Sequence, residues 1–161
     1  MRRRGEGGFS LVEVVIAMAL LAGVLIAISG LFIIGGAQVK SGRTSSEALA
    51  VGKEIQEDLV GWGYGQLWKA FGYDGRSTVY TVDTRACGAC AGWQTTLAGK
   101  LGPSAFANIK VESVQDANGA LNDFADASGN ILARNVRVSV TVNWSEVPDR
   151  IRSVTIGTTR N

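Results

Sequence analysis

The sequence predicts an α+β protein, in which a long N-terminal helix packs on a C-terminal antiparallel β-sheet. From Phe9 to Gly36, Glu13 is the only ionisable residue, and about 20 consecutive apolar residues are enough to cross a bilayer as a helix. From Val136 to Trp144, apolar and polar residues alternate, which is the pattern of a strand with one face in a core. These two segments predict a helix that is transmembrane in its first half and a sheet that follows it.

The length and the charge limit what else the chain can hold. With 161 residues, it has room for this helix and for one globular domain with a modest core. The formal net charge of +2 comes from Arg2, Arg3 and Arg4 against Glu6, and the remainder is balanced. A neutral remainder disfavours a nucleic-acid partner, because phosphate binding normally requires a basic patch. Basic residues before an apolar helix predict a cytoplasmic N-terminus, with the rest of the chain beyond the membrane.

The chain contains no histidine. Its absence removes the usual base at neutral pH and the commonest metal ligand. Ser-His-Asp, Cys-His and zinc-hydrolase mechanisms are therefore excluded. We expect no enzyme, no cofactor and no metal site.

A cleavable secretory signal is an alternative explanation for the N-terminus. It would use the basic leader, an apolar stretch and the small residues of Ala17-Met18-Ala19 as its cleavage site. The apolar region of such a signal ends near the cut, whereas here it continues from Leu20 to Ile34. A membrane anchor fits better, although a simple anchor explains neither Gly7-Gly8 nor Glu13.

The segment Gly8-Phe9-Ser10-Leu11-Val12-Glu13 lies between a basic leader and a long apolar helix. It resembles the class III signal of type IV pilins and of the pseudopilins of type II secretion, and the match covers residues 5–36. The resemblance implies that a prepilin peptidase cuts between Gly8 and Phe9, removes the leader 1–8 and N-methylates Phe9. Glu13 then becomes the fifth residue of the mature chain.

The physical chemistry of Glu13 agrees with this reading. An acid near the end of a membrane helix costs less than one at its centre, but it still needs a partner. Cleavage after Gly8 creates a cationic amine on Phe9, which Glu13 of a neighbouring subunit can meet as helices pack into a filament. The alternative is an interfacial Glu13 that only reaches the water between lipid headgroups.

The membrane and assembly helix is predicted over residues 9–36 and the periplasmic globular domain over 37–161. Many pilins carry proline where Gly30 stands here, so a local melting or kink is allowed at that position. The helix resumes, or never stops, until about residue 60, because apolar residues recur there at helical spacing. These residues are Ala48, Val51, Ile55, Leu59 and Trp62. Gly61, Gly63 and Gly65 are expected to end it.

Residues 61–77 are predicted to form an αβ loop that is rich in aromatic residues. Clustered rings can stack on single-stranded nucleic acid, but such sites also need cationic flanks, and only Lys69 is close. Packing in the core or at a subunit interface is favoured. The rings belong to Trp62, Tyr64, Trp68, Phe71 and Tyr73.

The remainder, 78–161, is predicted to be β-rich. Residues 48–60 of the helix are expected to lie across the apolar sheet face made by Val136, Val138, Val140, Val142 and Trp144. The other predicted strands are Thr78–Val82, Ile109–Val114 and Val154–Ile156. Turns are predicted at Asn118-Gly119, at Ser128-Gly129-Asn130, and over Ser145–Asp149, which contains Pro148.

Cys87 and Cys90 are spaced as in the redox motif of thioredoxin-like proteins. The βαβ context of those proteins is missing, and a metal site would lack two further strong ligands. An oxidising compartment beyond the membrane favours a disulfide that closes a small loop. Unpaired thiols and redox or metal chemistry remain the alternatives.

The pilin resemblance implies a minor type IV pilin, a structural subunit of the inner membrane that enters the pilus fibre. The C-terminal hairpin, with Trp144-Ser145 and Arg152–Thr155, is similar to minor pilins described as pilus modification proteins. The implied partners are the prepilin peptidase, other major and minor pilins, the inner-membrane assembly platform and the membrane. The alternatives are a minor pseudopilin of a type II secretion system and a membrane-tethered redox protein. A DNA-uptake pilin is disfavoured by the neutral mature charge.

Overall fold

The computed structural model describes residues 10–115, 119, 121–133, 135–147 and 150–160, with 64–66, 146–147 and 160 described by their backbone alone. The chain divides after Gly42 into two compact units. The α+β prediction is confirmed: a long N-terminal helix packs on an antiparallel sheet. The helices are α1 (Leu11–Gly61), α2 (Tyr64–Lys69) and α3 (Ala91–Leu101). The strands are β1 (Val79–Asp83), β2 (Phe106–Val114), β3 (Asn135–Val147) and β4 (Arg150–Arg160).

α1 is a single unbroken helix of 51 residues. The predicted end near residue 60 is confirmed. The sequence allowed either a helix that stops and resumes or a continuous one, and α1 is continuous. The melting allowed at Gly30 does not occur, because glycine keeps the amide proton that proline lacks and costs a helix only about 1 kcal/mol.

The part of α1 before Gly42 is long and apolar enough to cross a membrane, and within the described residues none of its most apolar stretch is buried. A core helix of a soluble protein passes the same test of length and composition, but it is mostly buried. The exposure of this stretch therefore sets it apart from a core helix.

The sheet has four strands in the order β1-β2-β3-β4. All neighbours pair antiparallel, so each strand lies beside the next in sequence. The predicted strands are confirmed, with β2 starting earlier and β4 extending further than expected. This meander places the two longest strands, β3 and β4, side by side.

The turn predicted over Ser145–Asp149 is wrong at its start. Ser145 pairs with Ile151 and Val147 pairs with Arg150, with a register shift between the two pairs. A β-bulge absorbs one extra residue and lets the ladder continue, so backbone groups that a loop would leave to water stay paired. Pro148 and Asp149 lie outside the described residues.

The core forms where the second half of α1 crosses the sheet, as predicted. The helix buries one stripe of side chains, and β3 buries every second side chain opposite it. At Gly52, an added Cβ would lie 3.1 Å from Ile156 Cδ1 and 3.2 Å from Val142 Cγ2. Glycine therefore lets the helix backbone approach β3 and β4 closely. The buried residues are Ala48, Val51, Gly52, Ile55 and Leu59 from α1, and Val136, Val138, Val140, Val142 and Trp144 from β3.

The sequence prediction missed α3, which lies within the region expected to be β-rich. Its sequence favours a helix only weakly, because it contains two glycines and two threonines among 11 residues. Trp93, Leu97 and Leu101 recur at a spacing of four, and this is the signal that could have indicated it. α2, in the predicted αβ loop, is only 6 residues long.

Buried Thr84 fixes α3 against the sheet. Its hydroxyl donates to Gln94 Oε1 of α3 over 2.6 Å and accepts from the Ala107 backbone amide of β2 over 3.0 Å. Gln94 Nε2 donates to the carbonyl of Ala105 over 2.9 Å. Because the Thr84 hydroxyl and the Gln94 amide each have hydrogen-bond partners, burying these polar groups is not penalised.

The turn at Ser128-Gly129-Asn130 is confirmed. Asp126 Oδ1 accepts the backbone amides of Ser128 and Asn130 at 2.8 and 2.9 Å. Gly129 has φ of 83°, a left-handed conformation that glycine adopts without strain. Asn118, in the other predicted turn, lies outside the described residues.

We expect Val140→Asp to destabilise the globular unit severely in a fragment that begins at Lys40. Val140 is fully buried, and an unpaired charge there would cost several kcal/mol. A domain's total free energy of unfolding is only about 5–15 kcal/mol. Thr141→Asp is the matched control, because that side chain lies on the opposite face, where its hydroxyl bonds only the exposed Thr155 hydroxyl. Thermal unfolding measures both, and equal losses would show that the helix-facing side is not the core.

Candidate functional site

The predicted cleavage residues, Gly8 and Phe9, lie outside the described residues. Glu13 is described, and it occupies the first turn of α1. Its backbone amide donates to the Ser10 carbonyl over 2.9 Å, and the Val14 amide shares that carbonyl at 3.2 Å. The first turn of a helix carries partial positive charge from amides without intrahelical partners, which favours an acid there. This contribution is not visible in the apolar pattern of the sequence alone.

The helix dipole offsets only part of the cost of this carboxylate. Among the described residues no cation lies within ion-pair distance of Glu13; the ion pairs found there all join other residues. Its neighbours along the same helix face are apolar, with Ala17 and Leu21 one and two turns on. At membrane depth, a carboxylate with such neighbours is costly without a cationic partner.

The apolar surface around Glu13 is continuous along α1. Large apolar side chains are exposed on all sides of the helix from Leu11, which is 80% exposed, to Val39, which is 74% exposed. Exposed apolar patches larger than a few hundred Å² are rare in soluble monomers and indicate contact with protein or membrane. The first part of α1 is thus an exposed apolar surface that is long enough to cross a membrane.

Cys87 and Cys90 form a disulfide, with their Cα atoms 5.2 Å apart. Cys90 is fully buried, and its backbone amide donates to the Cys87 carbonyl over 3.1 Å. The short 3₁₀ turn Gly88–Cys90 leads directly into α3. The bridge therefore closes a tight loop at the start of α3 and leaves neither cysteine as a free thiol.

The aromatic residues after α1 are used in packing within the protein. Trp62 stacks on Trp93 of α3 with ring centroids 5.6 Å apart, and Trp68 packs on Phe124 at 5.6 Å. Tyr73 stacks on Tyr80 of β1 at 4.1 Å. The core interpretation is confirmed for these rings, whereas the side chain of Tyr64 lies outside the description.

The acids whose pKa is lowered belong to exposed pairs and turns. The Arg85 guanidinium, which hydrogen-bonds Asp83, lowers the pKa of that carboxyl. Lys110 beside Glu112 lowers the pKa of Glu112, and the side-chain and backbone hydrogen bonds from Asn130 lower that of Asp126. Each shift is explained by a local partner. Across the described part of the chain, no group of His, Cys, Asp and Glu could hold a metal ion.

No protein-family model, curated protein or solved structure matches this chain. Among the chain's own residues, α1 and the isolated Glu13 are the features that point to a function.

We expect the double variant Cys87→Ala/Cys90→Ala to fold with moderately reduced stability. A disulfide that closes so short a loop is worth about 2 kcal/mol in the chain-entropy account. The melting temperature of the fragment that begins at Lys40 measures this change, with Ala86→Ser as a control at the exposed position just before Cys87.

A thiol-exchange assay on the unaltered protein tests the redox alternative. Rapid exchange with a dithiol probe under native conditions would contradict a structural role, because buried Cys90 should resist attack.

Proposed function

We propose that this protein is a minor type IV pilin, a structural subunit that is cleaved between Gly8 and Phe9, N-methylated on Phe9 and assembled through α1. The observation that carries the proposal is the double character of α1. One unbroken helix is exposed and apolar in its first part and contributes a buried stripe to the globular core in its second. A simple membrane anchor has no need for a helix that continues into the core.

Such a helix suits a subunit that moves from membrane to filament. Its exposed apolar surface can be covered first by lipid and later by the helices of neighbouring subunits, with little change in solvation. A Cβ added at Gly23, Gly30, Gly35 or Gly36 would meet no atom of another residue within 4 Å outside the adjacent helix backbone. Small residues on an open helix surface let helices approach closely. The surface that holds the subunit in the membrane would then also hold it in the fibre.

Glu13 gives this otherwise uniform surface a fixed register. Apolar packing alone allows helices to slide along one another, because its energy changes little with axial position. One carboxylate that must meet one amine, that of Phe9 on a neighbouring subunit, selects a single offset. The absence of a cation near Glu13 among the described residues supports a partner from another chain.

The proposed partners are the prepilin peptidase, other major and minor pilins, and the inner-membrane assembly platform, with the globular domain in the periplasm. Neither catalysis nor a cofactor enters the proposal. A minor pseudopilin of type II secretion would use the same cleavage site and the same Glu13, so the biological readout must separate the two. The disulfide and the burial of Cys90 give the redox alternative no support.

We expect mass spectrometry of the protein from its own host to find a mature chain that starts with N-methylated Phe9. Gly8→Val should block the cut, because the peptidase site accepts only a very small side chain at this position, whereas Gly7→Val should be cut normally. A mature chain that starts at Leu20 instead would make this a secreted protein and end the pilin proposal.

We expect Glu13→Ala to leave insertion and cleavage intact but to deplete the subunit from sheared filaments. Removing one member of a poorly solvated pair can cost about 3–5 kcal/mol, because the other charge is stranded. Glu47→Ala is the control: it lies in the same helix and loses only an exposed pair with Arg43. Quantitative blotting of sheared fibres measures incorporation, and normal incorporation of Glu13→Ala would refute the register role.

The same strains separate the two filament systems. A deletion complemented by Glu13→Ala should have fewer pili and normal secretion of exoproteins. Reduced secretion with normal piliation would instead identify a pseudopilin.

A further inference from the structure

The sheet ends at β4, a strand of 11 residues. β3 pairs with one edge of β4, and among the described residues no strand pairs with the other. An open edge presents a row of backbone amides and carbonyls that can pair with another extended chain. The opposite edge of the sheet differs: β1 is only 5 residues long, and the Tyr73 hydroxyl donates to the Thr81 carbonyl over 3.0 Å.

The centre of β4 offers little protection against pairing, although its start lies beside a bulge and places Arg152 opposite buried Trp144. Natural edge strands are usually interrupted by an inward charge, a proline or a bulge. From Ser153 to Thr159 the strand contains none of these, and its pairing with β3 is regular throughout. The centre of β4 is therefore suited to accept another strand.

The core is also incompletely covered beside this edge. Val154 and Ile156 pack against the core but are only partly buried. Gly52 brings α1 to Ile156, and Leu49 and Val60 project from the adjoining flank of α1, where they are 45% and 39% exposed. An added strand with apolar residues at alternate positions could bury these four side chains.

The other flank of α1 is already occupied. Glu54 pairs with Lys100 of α3 at 3.6 Å, and Asp58 accepts from Trp93 Nε1 of α3 over 2.9 Å. Leu49 and Val60 point to the opposite side from these acids, because each helical residue turns by 100°. The apolar strip on the β4 side is thus a separate surface that α3 does not cover.

We propose that the open edge of β4 binds an extended segment of another protein by strand addition, and that this segment carries acidic residues at its ends. β4 contains three arginines, two near its start and one at its end, and no acidic residue. Arg150, which is exposed, and Arg152 precede the uncharged centre Ser153–Thr159, and Arg160 follows it. Opposite charges placed directly across two strands stabilise the pair.

A second copy of this chain fits the edge less well. In the antiparallel register that joins all 11 residues of two β4 strands, Arg150 of each copy would face Arg160 of the other. Like charges directly opposite each other destabilise strand pairs. An acidic partner meets the same positions with attraction, which is why we assign the edge to a different protein.

This inference is independent of the proposed pilin function, since neither cleavage nor Glu13 enters it. The test uses the full chain in detergent micelles and a labelled, end-capped peptide of 11 residues, Asp-Thr-Val-Thr-Val-Thr-Val-Thr-Val-Thr-Asp. Its two Asp residues match the spacing of Arg150 and Arg160 along β4. Two control peptides are used. The first has Lys in place of both Asp residues, and the second has the acidic sequence with every second backbone amide N-methylated. Fluorescence anisotropy measures affinity, and hydrogen exchange measured by mass spectrometry locates the protected amides.

We expect the acidic peptide to bind and to slow amide exchange in β4 by at least about tenfold, as new hydrogen bonds do. The N-methylated peptide should not bind, because it has the charge but cannot complete the ladder. The Lys peptide should bind at least roughly fivefold more weakly.

Arg150→Glu should weaken the binding of the acidic peptide by a similar factor and strengthen the binding of the Lys peptide. Arg76→Glu, an exposed reversal just before β1, should change neither. Unchanged thermal unfolding of both variants would show that the fold is intact.

Four outcomes would overturn the proposal. They are equal binding of the N-methylated peptide, protection elsewhere than β4, no binding of the acidic peptide, and concentration-dependent protection of β4 without peptide. The last outcome would assign the edge to a second copy of this chain.

Discussion

The structure depends on the contact between the second half of α1 and the sheet. The sheet has one apolar face, and within the described residues only α1 crosses the middle of it, at Gly52 and the buried stripe on either side. The same helix carries the exposed apolar surface at the other end of the chain. Its sequence is therefore apolar on all sides up to Gly36 and on one side only from Ala48 onward. A change in this pattern would alter the exposed apolar surface or the folding of the core, depending on where it fell.

The remaining elements stabilise the flanks of this contact. The hydrogen bonds of Thr84 hold α3 against the sheet, and the disulfide holds the start of α3. Trp93 of α3 also donates a hydrogen bond to Asp58 of α1. The aromatic residues after α1 fill the space beside the helix end. These contacts cover the side of the core nearest α3, and the side nearest β4 is left with the apolar strip that strand addition would bury.

Sequence patterns predicted the parts of the fold in which one face is buried over several turns or strand residues. The spacing of Ala48 to Leu59 and the alternation of Val136 to Trp144 are of this kind. α3 was missed because glycines and threonines hide its short apolar stripe, and its place is set by partners such as Thr84 that are distant in sequence. The hairpin was predicted too short because proline suggests a turn. In the structure, a bulge before Pro148 keeps the strands paired up to Val147.

The candidate site was visible in the sequence because a single acid in an apolar run is conspicuous. Glu13 lies in the first turn of α1, where the positive end of the helix dipole favours a carboxylate. The proposed partner of Glu13 could not be found in this way, since no cation lies within ion-pair distance of it among the described residues. The open edge of β4 was also invisible, because strand order is decided by tertiary pairing.

The order of the strands has a consequence for the kinetics of folding. Each strand of the meander pairs with the next in sequence, so the sheet itself has low contact order and can form quickly by successive hairpins. The contact between α1 and β3 is the slow one, because Ile55 and Val140 are separated by most of the globular domain. Until β3 has been synthesised, the stripe from Ala48 to Leu59 has no sheet to cover it. The interval in which the chain is most exposed to aggregation is therefore set by the time needed to make the residues between them, and it ends only when the C-terminal hairpin is complete.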